Sequence, residues 1–333
     1  MQKDKIEMVS AVEDQVGRAD EDARANSKAE RIERLLQGAV DLHCHSGPSV
    51  MPRDLDHIEA ITDASAVGMK AVLFKDHYYS ADPIAGLLRR NFGHLGVMVL
   101  SGIALNNTVG GFNRFAVDHS IKLGGRIVWM PTFSAANHIH QHAHDDHFDE
   151  KFPTTKEQML QPIPLKAVDE RGEIIDEVKF ILDLIAEADL VLSSGHLHIS
   201  EIWPLFEEAR QRGVKRLLVN HPTFVVGADL DDIRRLVDLG AYVEHSVCMF
   251  IEGSKFKFFD PQTLNSLIEA GGVDRTILGS DLGQQGNPRP VDGFRSVISI
   301  CLDLGYDDAQ IRQLISGNAV KLFGLDAEPA AAE

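Results

Sequence analysis

The chain has 333 residues, 44% hydrophobic and 25% charged, with 27 Gly, the proportions of a globular protein with a large core. Fifty acidic against 33 basic residues give a formal net charge of −17, which repels polyanions and argues against nucleic acid and anionic membranes as partners. Three widely spaced cysteines, Cys44, Cys248 and Cys301, supply neither a disulfide framework nor a Cys-x-x-Cys metal pair. The first thirty residues hold no apolar signal region, and no later run reaches the length of a membrane span. The expected location is the cytoplasm.

Residues 1–37 are charge-rich and free of proline, with Ile6, Met8, Val9, Val12 and Val16 at loosely helical spacing. They read either as a helical arm, packed on the rest of the chain or on a second subunit, or as a solvated, partly disordered leader; an arm on a second subunit makes a homo-oligomer the expected state. From residue 38 onward apolar β-like runs (38–43, 70–75, 96–104, 126–130, 190–194, 215–220, 241–245 and 275–279) alternate with amphipathic helical stretches. Those stretches lie around 54–67, 82–91, 112–123, 175–188, 200–212, 229–239, 261–271 and 291–304. Glycines at Gly68, Gly124, Gly213 and Gly240 mark helix ends. Runs rich in Val, Ile and Leu without strict alternation belong to strands covered on both faces, as in a parallel sheet. Eight strand–helix units predict a (β/α)8 TIM barrel, although a doubly wound open sheet has the same local alternation. The predicted organisation is an arm over 1–37, a barrel over 38–325 with a lid insertion at about 133–174, and a tail over 326–333.

Functional groups in such barrels come from the C-terminal ends of strands. The first run ends in Ala39-Val40-Asp41-Leu42-His43-Cys44-His45-Ser46. Side chains two apart on a strand project from one face, roughly 7 Å apart at their roots, so His43 and His45 can converge on one metal ion. The second run ends in Lys75 and His77, the fifth in Gly195-His196-Leu197-His198, and the sixth in Asn220-His221-Pro222. The seventh ends in Glu244-His245 and the eighth in Gly279-Ser280-Asp281.

This order of residues resembles the metal-dependent amidohydrolase superfamily. The ending Asn318-Ala319-Val320-Lys321-Leu322-Phe323-Gly324-Leu325 is similar to that superfamily's C-terminal helix. The chain looks most like a branch of mostly unassigned function that includes a dinuclear-iron thioester hydrolase of antibiotic biosynthesis. That likeness rests on Lys75-Asp76-His77, Trp129-Met130-Pro131-Thr132 and Asp281-Leu282-Gly283-Gln284, beside the motifs already quoted. The resemblance implies that His43 and His45 bind one metal, that His196 and His221 bind a second, and that Asp281 holds the attacking water. Many dinuclear members place a carbamylated lysine or a glutamate on strand 4 to bridge the metals, whereas this chain carries Trp129 there. Two divalent ions need a further anion in so enclosed a site. Glu244 or a carbamylated Lys75 is expected to supply it, with His77 as an additional ligand. One or two divalent ions of Zn, Fe or Mn suit such imidazole and carboxylate donors.

The expected reaction is hydrolysis of a carbonyl–heteroatom bond (amide, lactone, ester or thioester) in a small organic substrate by a metal-bound hydroxide. Asp281 would pass the proton to the leaving group, and the metal or His77, His198 or His245 would polarise the carbonyl. Asn137, His198 and Gln284 are expected to meet substrate. The run from Asn137 to His147 holds five histidines and reads as the start of an irregular lid with adventitious metal affinity, followed by a hairpin over 164–174. Rival readings are a metal-dependent non-oxidative decarboxylase or hydratase on the same barrel, a phosphoesterase, and a non-catalytic metal carrier using that histidine run.

Overall fold

The structure, a computed structural model, describes residues 27–143 and 159–326. Nine parallel strands follow one another in chain order: β1 (Val40–Cys44), β2 (Ala71–Phe74), β3 (Met98–Leu100), β4 (Gly102–Ala104), β5 (Ile127–Trp129), β6 (Val191–Ser193), β7 (Arg216–Asn220), β8 (Tyr242–Ser246) and β9 (Thr276–Gly279). Pairing runs β1-β2-β3 and then β4 through β9 without a crossover. β3 and β4 are one stretch interrupted at Ser101, whose hydroxyl turns aside to donate to Asp82 at 2.6 Å. They fill one position of an eight-strand barrel. Closure comes from backbone bonds between the end of β1 and the residues after β9: Asp281 donates to the His43 carbonyl and His45 to that of Leu282, both at 2.8 Å. All eight expected helices are present between strands, each within two or three residues of its predicted bounds.

Two apolar layers hold this arrangement. Val40, Leu42, Leu73, Ile127, Trp129, Val191, Leu218, Tyr242 and Ile277 point into the barrel, and Leu322, Phe323 and Leu325 plug its N-terminal end. Asn318 fixes that plug by donating to the carbonyls of Val273 and Thr276 at 2.6 Å, which gives the asparagine of the C-terminal motif a structural purpose. The second layer lies between the sheet and the surrounding helices. Aliphatic and aromatic side chains seal the lower barrel, and the cleft that holds the histidines lies at the C-terminal mouth.

Of the expected N-terminal arm, residues 27–36 form a helix. Leu35 and Leu36 are buried, while Lys28 and Arg31 reach Asp303 and Asp308 and Glu33 reaches Arg295, each at 2.6 Å. The apolar positions from Ile6 to Val16 lie outside the described residues, as does His144 onward in the histidine run. The described part of that run is not an irregular loop. Ala136–His142 is a helix, and the histidines at 138 and 142, four apart, come onto one face of it, their rings 4.5 Å apart. Further on, the tight turn expected around Gly172 is present: Asp169 donates to the Glu173 carbonyl at 2.8 Å, and Val168 pairs antiparallel with Ile174.

Candidate metal centre

The site begins with an irregularity in β1. Asp41 pairs with Val72, but Cys44 pairs with Phe74, so β1 carries one residue more than its partner between them. Such a bulge reverses the alternation of side chains beyond it. Val40 and Leu42 face the barrel interior, and beyond the bulge His43 and His45 also face inward, into a cleft at the mouth. Asp41 faces the other way and secures the join. Its carboxylate accepts from the backbone N–H groups of His43 and Ser280 at 3.0 and 2.9 Å and from the Ser280 hydroxyl at 2.6 Å. Burial pushes the Asp41 carboxyl up to about 6, against the pull of those hydrogen bonds.

His43 Nε2 and His45 Nε2 lie 3.3 and 3.0 Å from one oxygen of Asp281. His45 Nδ1 is 2.8 Å from the Lys75 carbonyl. A carbonyl only accepts, so the proton sits on Nδ1 and the Nε2 lone pair is free to face the cleft. His43 is oriented in the same way, its Nδ1 donating to Glu244 Oε1 at 2.7 Å. Donor atoms about 3.0–3.4 Å apart are what bond lengths of about 2.0–2.2 Å to a shared divalent ion produce, and all three groups lie within 4.8 Å of one another. The donor set therefore fits a metal. Asp281 adopts a positive φ of 51° and His221 one of 30°, backbone conformations uncommon for these residues and found where a side chain must be aimed.

Glu244 is not placed as a ligand. Its Oε1 accepts from His43, and its Oε2 accepts from Asn220 Nδ2, whose own Oδ1 accepts from the Ser193 hydroxyl. Both carboxylate oxygens are thus engaged behind His43, a position that fixes the ring and raises its basicity as a ligand. Gly279 makes room for this carboxylate, since a Cβ there would lie 2.4 Å from Glu244 Oε1. Burial pushes the Glu244 carboxyl up to about 8, countered chiefly by Lys75. Lys75, buried beneath the cleft, brings its Nζ to 3.0 Å from His43 Nε2 and over the Trp129 ring. Burial lowers its pKa while Asp281 and Glu244 raise it. The amine therefore reaches the centre from β2, from a wall where β5 offers only an indole.

His196 and His221 complete an arc of imidazoles around the mouth. Their ring centroids are 4.9 Å apart, and His221 is 6.0 Å from His43. His138, which sequence reasoning assigned to an adventitious loop, is buried here and places Nδ1 2.9 Å from His196 Nδ1. The spacing of its run masked a helix whose inner face reaches the site. Burial is the leading cause that lowers every imidazole of the arc. His43 falls to about 3 and His45 and His221 to about 4, while His77, His138 and His196 lie well below 6.5. All are neutral at pH 7, the form that can coordinate.

His77 has a different character. Asn106 Oδ1 accepts from the N–H groups of Thr132 and Ser134, so its Nδ2 is the atom that donates to Thr132 Oγ1 at 2.6 Å. The Thr132 hydroxyl proton is then directed to its other neighbour, His77 Nδ1, at 2.8 Å. That leaves His77 with its proton on Nε2, so this ring presents a donor rather than a lone pair. It is clamped against Phe133, 3.9 Å away and nearly parallel.

Three expected site residues lie elsewhere. His245 sits one residue from Glu244 on β8, so it points outward into the helix layer, with Nε2 buried and without a hydrogen bond. His198 caps the helix Ile199–Gln211 by accepting from the Ser200 N–H. Asn137 donates to the carbonyls of His196 and Val225 at 3.1 and 2.8 Å; it is a brace between two loops. Gln284 does line the cleft, its Nε2 held by the Asp281 carbonyl.

A family model described as a family of unknown function (DUF6282) matches residues 38–244. No curated protein matches the chain. Among solved structures, an amidohydrolase from Pseudomonas aeruginosa is 12% identical with a TM-score of 0.61, over 89% of this chain and 98% of that one. The dipeptidase AC, a metallopeptidase, is 13% identical with a TM-score of 0.53, over 86% and 98%. A 2,6-dihydroxybenzoate decarboxylase is 13% identical with a TM-score of 0.50, over 86% and 99%. At such identities the likeness is one of fold, and it bears out the barrel read from the strand–helix alternation.

Proposed function

Because the chain belongs to the family of unknown function DUF6282, its reaction has to be read from its own residues, and we propose that it is a metal-dependent hydrolase of carbonyl–heteroatom bonds in small organic substrates. The observation that carries this reading is the convergence of His43 Nε2, His45 Nε2 and Asp281 on one point, each imidazole held from behind by an acceptor. A divalent ion held by these three residues, with His196 and His221 facing a second position, would acidify water and polarise a carbonyl.

The chain's own groups divide the remaining work. Burial opposes ionisation of Asp281, but His43, His45 and His221 around it outweigh burial and hold its carboxyl well below the usual range. It is thus an anion at neutral pH, able to take a proton from the attacking water and return it to the departing nitrogen, oxygen or sulfur. His77 Nε2–H, fixed by the Thr132 hydroxyl, is the donor to the carbonyl oxygen as it gains negative charge. Lys75 is the amine of the cleft, 3.0 Å from His43 Nε2 and drawn toward the Asp281 anion, or, when carbamylated, a further anion toward the metals.

The test is elemental analysis of protein purified without chelator, followed by assay against aryl esters, anilides, lactones and thioesters in heavy-oxygen water. A hydrolase returns one solvent oxygen in the acid product, and its Asp281→Asn variant, reloaded with metal, loses turnover. Release of carbon dioxide from a carboxylated arene, with no solvent oxygen in the remaining arene, would replace the proposal with the decarboxylase reading, which rests on the same barrel. A protein that retains no stoichiometric metal would end both.

A further inference from the structure

The cleft has two unlike sides. Its floor is the imidazole arc with Asp281, while its outer wall is formed by Met51, Phe224, Met249, Phe256 and Phe258. These come from the segments after β1, β7 and β8, the positions where barrel enzymes carry specificity. Phe224 and Phe258 stack face to face at 5.1 Å and 16°, and Phe258 leaves 42% of its surface exposed. Two thioethers beside two stacked rings make a polarisable, adaptable surface. Among the described residues, Lys75 is the one lysine or arginine in the lining, and the Asp281 anion already answers it.

We infer that the substrate carries an aromatic or similarly flat apolar group, uncharged on the side away from the reacting bond, which lies against Phe224 and Phe258 while the scissile carbonyl faces His77 and Asp281. The position of the carbonyl rests on the hydrolase reading above; the apolar subsite does not. A carboxylate on the distal part of the substrate would meet rings and thioethers, with no lysine or arginine among the described residues of that wall to receive it, and would lose its hydration without compensation. An aryl group there instead leaves water for a surface of matching chemistry.

Hydroxamic acids test this without turnover, because they bind through the metal and carry a variable tail. Calorimetry on zinc-loaded protein would compare acetohydroxamate, benzohydroxamate and 4-carboxybenzohydroxamate. The expected result is that benzohydroxamate binds at least about ten-fold more tightly than acetohydroxamate, and that the added carboxyl removes the gain. Phe224→Ala and Phe258→Ala should bring the benzo-to-aceto ratio toward one. The ratio is taken within each variant, so a folding defect, which lowers both affinities, does not imitate the effect. Equal affinities in the parent protein, or undiminished binding of the carboxylated analogue, would overturn the subsite. Acetohydroxamate alone reports on the metal. On metal-free protein, acetanilide against acetamide reports on the wall alone, and no preference for acetanilide there would also overturn it.

Discussion

Glu244 Oε1 accepts the Nδ1–H of His43 at 2.7 Å, so a carboxyl group that the sequence offered, beside a carbamylated Lys75, as a bridging anion stands instead behind the His43 ring. The two placements have different consequences. A bridging carboxylate, when neutralised, costs a metal ion. An orienting carboxylate costs affinity, typically ten- to a hundred-fold. Glu244→Gln should therefore keep the metal stoichiometry of the parent while weakening retention by about that factor, read by dialysis against graded chelator.

Gly279 is tied to the same pair. A methyl group at this position would meet Glu244 Oε1 at 2.4 Å and His43 Cβ at 3.1 Å, inside van der Waals contact with two groups that cannot both retreat. Overpacking a filled site usually costs about 1–3 kcal/mol. Gly279→Ala should lower the melting temperature correspondingly and also weaken metal binding by displacing the His43 ring. A variant that melts earlier but binds metal like the parent would show that the carboxylate is free to move.

Thr132 bears on the reaction without touching substrate. Its hydroxyl sets the tautomer of His77. Thr132→Val keeps the shape and removes that bond, so kcat should fall while KM and metal content change little. Loss of one donor to a developing oxyanion costs up to about a hundred- to a thousand-fold, and loosening the donor should cost less. Thr132→Ser, which restores a hydroxyl, should recover most of the loss. If His77 were a ligand, His77→Gln would lose metal; as a donor it should lose turnover only.

Asn137 stands on the boundary between site and scaffold. Its amide joins the carbonyls of His196 and Val225, so Asn137→Ala leaves two part-buried acceptors unanswered, a cost of about 1–3 kcal/mol apiece at most. The expected signature is a lower denaturation midpoint with specificity among substrates unchanged. A change of substrate preference at unchanged stability would return Asn137 to the substrate-contacting role that its position after β5 suggested.

How much of this was legible in the sequence depends on the kind of signal. The strand–helix alternation and the His43, His45, His196, His221 and Asp281 set were readable, because strand ends and helix-stopping glycines are local features and barrel topology converts strand ends into one mouth. The direction of side chains was less so. His245 follows Glu244 by one residue, and period-two alternation puts one of them outside; the rule was available, yet the Glu-His motif drew both into the site. The bulge between Asp41 and Cys44 is not written in the residues, since it is a matter of register with β2. His138 was hidden differently: five clustered histidines suppressed a helical reading that its contact with His196, 58 positions along the chain, makes necessary. The aromatic wall was invisible because Phe224 follows β7 while Met249 and Phe258 follow β8, nine residues apart in an irregular segment with no shared pattern.

The buried histidines also set a pH dependence whose sign can be worked out. His43 is lowered to about 3 and His45 and His221 to about 4, with burial the leading cause in each. The unfolded chain protonates these rings near 6.5, so between about pH 4 and 6.5 it binds protons that the folded protein does not. Stability of the metal-free protein then falls as pH drops through that window. Asp41 at about 6 and Glu244 at about 8 work the other way, since the folded protein keeps protons that the unfolded chain has released. Above pH 6.5 the histidine contribution is complete, and Glu244, raised, and Lys75, lowered by burial, work in opposite senses toward pH 8. The melting temperature of chelator-treated protein is therefore expected to fall steeply below pH 6.5 and to change much less between pH 6.5 and 8. Added zinc should raise the curve and move its acid limb downward, because ligated imidazoles resist protonation. It should not abolish that limb. His57 and His245, both lowered to about 4 by burial, lie outside the cleft and gain nothing from the metal. A metal-loaded protein whose melting temperature stays flat from pH 7 to 4 would mean that these two rings are not buried in their neutral form.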